Sequence, residues 1–294
     1  MYRHAVIDDY LEGEDWSEAP AEMAVEASFG EILDDSVRLV REIGEGGGAE
    51  ASSRTRREGA ALRLYLRTPA LVNVALNYKI CAEHGLPLHP TVYYELAEAR
   101  RYDMRHSMAK LDQANHLYLA SIELARAAYR LEADYAERAA AFGANLPEEL
   151  PRFVYTGIAD KYSWRGARPG TLRSLAQKVR ADYAPTLIVA AAHGAIMPAL
   201  LFAEYLSLPL YFIRFSMFKR YDEAPILSVS DEVWLSSWRE KRILLFDEDV
   251  AGGRTLELFT RRMGPLFAEA RSACSIRHVG SSFAPDFVGR FWCE

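Results

Sequence analysis

The sequence predicts an α/β protein: a parallel-sheet domain over residues 147–294, preceded by an all-helical N-terminal domain over residues 1–146 that begins with an acidic segment. Three observations lead there. Up to residue 146, apolar residues recur at helical spacing. After Pro147, short runs rich in Val, Ile and Phe alternate with amphipathic stretches, the pattern of strand–helix–strand crossovers. One of those runs, residues 186–191 (TLIVAA), is almost wholly apolar, as a strand buried on both faces requires.

Taken in order, residues 1–19 are acidic and expected to be extended or loosely packed. Pro20 can begin a helix, and Met23, Ala27, Ile32, Val37, Leu39 and Val40 follow at roughly helical spacing. The run 44–53 (GEGGGAEASS) reads as a flexible break. Residues 54–67 and 69–84 read as helices, the second stopped by Gly85 and Pro87, and residues 90–106 as a fourth. Residues 107–142 contain no Gly or Pro and read as one long helix ended by Gly143. In the second half, residues 153–158, 186–191, 210–215, 242–246 and 274–279 read as strands, and 170–183, 196–206 and 255–269 as helices.

Composition narrows the function classes. Half of the 294 residues are hydrophobic and 26% are charged, enough for a sizeable core and against wholesale disorder. The net charge of −6 is uneven: residues 1–30 hold eight acids and one base (Arg3), and the rest hold 33 acids and 34 bases. A near-neutral body disfavours a basic nucleic-acid coat, so no nucleic-acid partner is expected. Cys81, Cys274 and Cys293 form no CxxC pair, which argues for a reducing compartment and against a disulfide scaffold or zinc knuckle. The start, MYRHAVIDDYLEGEDW, lacks the apolar core of a signal peptide. The longest apolar run, 187–203, is interrupted by His193, Gly194 and Pro198 and divides into strand, turn and helix rather than spanning a membrane. A cytoplasmic protein without a membrane partner is the expectation.

The segment that carries chemistry is the strand 242–246 (RILLF) running into Asp247–Glu248–Asp249–Val250–Ala251–Gly252–Gly253–Arg254–Thr255, after which a helix begins. A helix N-terminus presents unpaired N–H groups and a positive dipole end, which suits a phosphate. Gly252 and Gly253 let the backbone approach a ligand, and Thr255 adds a hydroxyl. Acids at the strand end can accept hydrogen bonds from sugar hydroxyls or help hold a hydrated Mg²⁺. An apolar strand ending in two acids also resembles a Walker B strand, but that reading needs a Walker A loop, and none of the six lysines follows a glycine. The plainest reading is an acidic turn with glycines for geometry.

This segment resembles the signature of the type I phosphoribosyltransferases, which bind phosphoribosyl pyrophosphate (PRPP): an apolar strand, two acids, three variable residues, then Thr/Ser-Gly-x-Thr. Asp247 and Glu248 match the acids, Gly253 the glycine and Thr255 the threonine; Gly252 replaces the usual Thr or Ser. Glu248–Asp249 is an alternative pair in a loop one residue shorter, and Asp247–Glu248 preserves the family spacing. Where this chain has Ala251, purine-type members often have an Asp acting as base, while adenine-type members resemble it in having Ala. Upstream, residues 186–203 with Ala192–His193–Gly194–Ala195 at the turn resemble the family's pyrophosphate loop, and Arg214 ends the next strand as a basic residue often does there. A mobile loop containing Lys219 should follow.

The resemblance implies a parallel-sheet type I phosphoribosyltransferase fold and Mg²⁺-dependent transfer from PRPP to a small-molecule acceptor, with pyrophosphate leaving. It implies Asp247 and Glu248 as catalytic residues at the ribose hydroxyls, also meeting Mg²⁺, through water or directly. Val250, Ala251, Gly252, Gly253, Arg254 and Thr255 would hold the 5′-phosphate, and His193, Gly194, Arg214 and Lys219 the pyrophosphate. A closing segment with Phe287, Phe291 and Trp292 would form a hood over the acceptor or only a hydrophobic turn. Asp222 or Glu223 would serve as base, or none is needed. The helical half would shape the acceptor pocket or make a homodimer. Two alternatives stay open: a PRPP-sensing regulatory protein and a PRPP hydrolase. His84 and His89 flank a Gly/Pro loop that does not favour a metal site; Arg100, Arg101, Arg105 and Lys110 read as a solvated basic face. The role of residues 164–170 (WRGARPG) is left open.

Overall fold

The computed structural model describes residues 6–45, 51–102, 104–217 and 221–293. The chain forms two compact units, one of residues up to 15 with 19–160, the other of residues 16–18 with those from 161 onward. The sequence places the division at 146/147. Residues 147–160 stay with the helices because β1 (Glu26–Ser28) pairs antiparallel with β2 (Val154–Thr156), Ala27 opposite Tyr155. The first unit is therefore helical with a small ribbon, not all-helical.

That ribbon takes Ala27 out of the helix expected from Pro20. Helix α1 (Phe29–Glu45) starts after it, where the Ser28 N–H and hydroxyl both donate to Glu31, at 2.7 and 2.8 Å, closing a capping box. Helices α2 (Ala51–Arg67) and α3 (Pro69–Glu83) follow, and α3 is buried on nearly every side. Residues 46–50 of the expected flexible break lie outside the described residues. From residue 6 onward the opening acidic segment is not loose, since Ile7, Asp8 and Leu11 are fully buried; residues 1–5 lie outside the described residues.

The helix expected over 90–106 shrinks to a single 3₁₀ turn and α4 (Ala99–Tyr102). Its first residues are held outside a helix by the bond from Val154 N–H to Pro90 O (2.7 Å) and from the Tyr93 hydroxyl to Val154 O (2.6 Å). The expected long helix breaks into α5 (Met108–Tyr129) and α6 (Tyr135–Ala144), with Leu131 left-handed at φ 48°. No Gly or Pro announces the break. It lets α6 pack on α1, where the Tyr135 and Ser36 hydroxyls bond at 2.7 Å.

In the second unit, α7 (Lys161–Gly166) and α8 (Pro169–Asp182) precede five parallel strands: β3 (Leu187–Ala192), β4 (Leu210–Arg214), β5 (Arg242–Val250), β6 (Glu269–His278) and β7 (Phe287–Trp292). Their spatial order is β4-β3-β5-β6-β7. Helices α9 (Ile196–Leu206) and α11 (Arg254–Met263) cross from β3 to β4 and from β5 to β6, in opposite directions along the sheet. Right-handed crossovers then put them on opposite faces, a doubly wound sheet. Helix α10 (Val229–Ser236) was not anticipated; Ser228 caps it, and its Asp231 accepts from the Tyr211 hydroxyl on β4 (2.6 Å). The helix expected to run to 269 stops at Met263, where Gly264–Leu266 tightens into a 3₁₀ turn that feeds β6. Among the described residues no helix is long and apolar enough to cross a membrane.

Candidate active site

The sheet order defines a crevice. From β3 the chain turns toward β4 and from β5 toward β6, so the loops leaving these two neighbouring strands diverge at the C-terminal edge, where doubly wound sheets bind ligands. Both loops singled out from sequence sit there: residues 192–195 after β3 and residues 250–255 at the end of β5. The Ala192–His193 peptide is cis.

Three acids close β5, and the structure gives each a different setting. Asp247 is 5% exposed. Burial, and then the neighbouring Glu248 and Asp249, hold its carboxyl well above the usual carboxylate range. The Glu248 N–H donates to Asp247 Oδ1 at 3.0 Å. The Glu248 carboxylate lies against the β3 loop: a Cβ on Gly194 would fall 1.7 Å from Glu248 Oε1. Gly166 of α7 meets the same residue from another side, where a Cβ would be 2.9 Å from Glu248 O. Asp249 turns toward β6, with Oδ2 3.2 Å from His278 Nε2. Cys274, the register partner of Asp247, is buried, and burial beside these acids pushes its thiol up.

The turn after the acids is open at the top and tight underneath. Ala251, Gly252 and Arg254 are exposed, whereas Val250 and Gly253 are buried. Gly253 is the N-cap of α11 at φ 90°, and its carbonyl accepts the first helical bond, from Glu257 N–H at 3.0 Å. A Cβ there would meet Phe283 Cβ at 2.6 Å, Ser281 Oγ at 2.7 Å and Phe283 N at 2.9 Å, so glycine is required on both counts. The supporting loop is held by Arg277, which donates to the Phe283 and Ser281 carbonyls at 2.9 and 3.0 Å. The Thr255 hydroxyl lies 3.7 Å from Met217 Sδ.

Other expected site residues are placed elsewhere. Arg214 is 1% exposed; its guanidinium donates to Asp222 at 3.1 Å, and Asp222 also accepts from Ser216 N–H at 2.8 Å. This buried pair braces the end of β4, so Arg214 is not an exposed anion ligand and Asp222 is already engaged. Glu223 is exposed, and Lys219 lies outside the described residues. The hood is instead an edge strand: β7 pairs with β6, Phe287 packs into the core 6.1 Å from the Tyr183 ring, and Phe291 is exposed. Trp292 does reach the C-terminal edge, opposite His278 in the register.

Sequence reading missed what covers this edge. Helix α7 lies beside β5 and β6. Its Trp164 is fully buried and stacks on Trp16 with centroids 4.0 Å apart. Its Arg165 donates twice to Ser17 O, at 2.9 and 2.7 Å, and sits 4.4 Å over the Trp292 ring. Tyr162 lies 6.0 Å from the His278 ring. A tryptophan in an acidic leader and a short aromatic helix carry no local signal that they meet.

No family model matches the chain, and no curated protein matches it. Solved structures similar to it include a purine phosphoribosyltransferase from Pyrococcus horikoshii Ot3, 26% identical over 42% of this chain and 83% of that one, with a TM-score of 0.33. A hypothetical protein from Neisseria gonorrhoeae with bound ppGpp is 20% identical over 43% and 79%, TM-score 0.36. A Helicobacter pylori xanthine-guanine-hypoxanthine phosphoribosyltransferase is 19% identical over 42% and 79%, TM-score 0.31.

Proposed function

We propose that the second unit binds PRPP and transfers its 5-phosphoribosyl group to a small-molecule acceptor, a nucleobase or a more specialised compound, releasing pyrophosphate. The observation that carries this reading is the β5–α11 connection at the sheet's switch point. Two adjacent acids are followed by an open glycine turn on a helix N-terminus, and the second acid abuts the β3 loop across Gly194. A sugar bearing phosphates at both ends matches that sequence of groups. The N–H groups of Val250–Thr255 and the α11 dipole take the 5′-phosphate. Asp247 and Glu248 meet the ribose hydroxyls, and His193 and Gly194 line the pyrophosphate side. Lys219 is a candidate for the same group; Arg214 serves by bracing β4.

Attack at C1 with pyrophosphate leaving builds positive charge on the ribose ring. Acidic groups at the end of β5 would favour that charge. Among the described residues no cluster of three or more His, Cys, Asp or Glu forms a metal cage by itself. Two adjacent carboxylates fit a Mg²⁺ that keeps its waters and phosphate ligands. When bound, that ion would offset charge on the departing pyrophosphate.

The test is pyrophosphate release from PRPP and Mg²⁺, without acceptor and then with a panel of bases, in wild type and Asp247→Asn/Glu248→Gln. Release that needs an acceptor and is lost in the double variant supports the transferase. Release without acceptor selects the hydrolase, and PRPP binding without release selects the sensor. Wild type that binds no PRPP overturns the reading.

A further inference from the structure

We infer that Trp16 and Ser17, where the acidic leader joins the second unit, are positioning residues for the acceptor side of the crevice: they hold helix α7 so that its Tyr162 and Arg165 border the entering acceptor. This rests on the phosphoribosyl reading above. Pyrophosphate lies toward the β3 loop, where Glu248 meets Gly194. A nucleophile displacing it in line approaches C1 from the other side of β5, where β6 and β7 end in His278 and Trp292.

Helix α7 covers that place. It has six residues, too few to hold a helix without neighbours, so its position is set by what packs on it. One anchor is the strand. A Cβ on Gly166 would lie 2.9 Å from Glu248 O and 3.1 Å from Glu248 Cβ, so the end of α7 rests directly on the backbone of β5. That backbone is fixed by its ladders to β3 and β6, and the contact sets the depth of α7 rather than the place of Glu248. The other anchor is the leader, whose Trp16, Ser17 and Glu18 belong to the second unit. The Trp16 ring stacks on the fully buried Trp164, with centroids 4.0 Å apart and 16° between the planes. The Ser17 carbonyl accepts from Arg165 Nε at 2.9 Å and from Nη2 at 2.7 Å, and the Glu18 carboxylate is 3.9 Å from the same guanidinium.

What the leader holds is the edge that an acceptor meets. Tyr162 and Arg165 are three residues apart, hence on one face of α7. Tyr162 is 38% exposed and lies 6.0 Å from the His278 ring, and Arg165 sits 4.4 Å over the Trp292 ring. Arg290 approaches the same indole at 5.3 Å. Two donors directed at one carbonyl fix the plane of the Arg165 guanidinium above Trp292. Aromatic faces and guanidinium planes take a flat ring by stacking, and a shift of α7 would spread them apart. Trp16 and Ser17 touch none of the reacting atoms and act through α7.

The experiment uses the full chain. PRPP·Mg²⁺ binding is measured by calorimetry, and pyrophosphate release with adenine, hypoxanthine, guanine, uracil and nicotinate, for wild type, Trp16→Ala, Trp16→Phe, Arg165→Met and the Trp16→Ala/Arg165→Met pair. Expected for Trp16→Ala is a kcat/KM for the base about 100-fold lower, with PRPP affinity within about twofold. A merely structural role would lower both together. Trp16→Phe keeps a stacked ring and should recover most of the loss. The pair should lose no more than Arg165→Met alone, since both changes act through one helix. A Trp16→Ala kcat/KM within about threefold of wild type, a loss carried entirely by PRPP affinity, or full additivity in the pair overturns the assignment. If Trp16→Ala does not fold, Arg165→Met decides alone and must show the same split between base and PRPP. If wild type binds PRPP but no base on the panel turns over, fluorine NMR of the fluorotryptophan-labelled chain decides. The Trp16 signal, identified by its absence in Trp16→Phe, must move when a base joins the PRPP·Mg²⁺ complex, and a signal unmoved by all five overturns the inference. Wild type that binds no PRPP removes the phosphoribosyl reading and this assignment with it.

Discussion

The helical unit and the end of β5 bury charge in different ways. In the helical unit, Lys79 is fully buried on α3, but its ammonium is 3.9 Å from the Glu83 carboxylate and 5.3 Å from the centre of the Tyr118 ring. Glu149 accepts from the Tyr78 hydroxyl at 2.7 Å and pairs with Lys110. At the end of β5, by contrast, Asp247 lies beside two further acids, of which Asp249 meets His278, and its carboxyl is driven upward by burial and by those neighbours. The Arg214–Asp222 pair shows that the second unit also pairs buried opposite charges. Opposite charges paired in a core are maintained by folding alone. Like charges held together at a sheet edge cost stability, which points to a ligand that uses them.

Five substitutions test that contrast. The largest effect is expected from Asp247→Asn/Glu248→Gln, which should lower pyrophosphate release about 1000-fold without lowering the melting midpoint. A fall in stability comparable to that of a core variant would erase the distinction. Next, Glu83→Gln leaves Lys79 buried beside a neutral partner and should cost on the order of 3 kcal/mol in denaturant unfolding, while PRPP affinity in calorimetry stays unchanged.

The two glycines of the crevice sharpen the point. Gly253→Ala meets backbone and a positive φ, so it should destabilise the fold by about 2 kcal/mol and weaken PRPP binding. Gly194→Ala meets only the flexible end of Glu248, so unfolding should shift by less than about 1 kcal/mol, while PRPP affinity drops roughly tenfold. Equal losses of stability in the two would show that the Glu248 carboxylate is held rigidly.

The smallest effect is one of pH. Because the Asp247 carboxyl is raised in the folded chain, the folded state holds its proton more tightly than the unfolded state. Wild-type stability from this group therefore falls as pH climbs above the ordinary carboxylate value. Asp247→Asn removes that penalty, so its advantage over wild type in thermal unfolding should grow as pH rises from about pH 4 toward neutrality. A difference that stays constant across that range would place Asp247 among ordinary carboxylates.

Much of the candidate site is legible in the sequence because it is local. The continuous run in β3, the acids ending β5 and the glycines before α11 each act through neighbours in the chain. What escaped reading depends on distant partners. The position of Arg214 at the end of a strand suggests an anion ligand, whereas the fold brings Asp222 back onto its guanidinium. Phe287 looked like a hood residue, but β6 supplies the register that makes it core. The helix break at Leu131 has no Gly or Pro to mark it, since packing of α6 on α1 imposes it.

By itself, the sequence determined the alternation of strand and helix after Pro147 and the chemistry offered by Asp247–Thr255, because hydrophobic period and turn geometry are set within a few residues. Only the tertiary structure decided which loops share the crevice, that Glu248 faces Gly194 while Asp249 faces His278, and that Trp16 belongs with Trp164. Strand order and those pairings join segments far apart in the chain, and their free energy comes from burial and hydrogen bonding that exist only once the sheet has assembled.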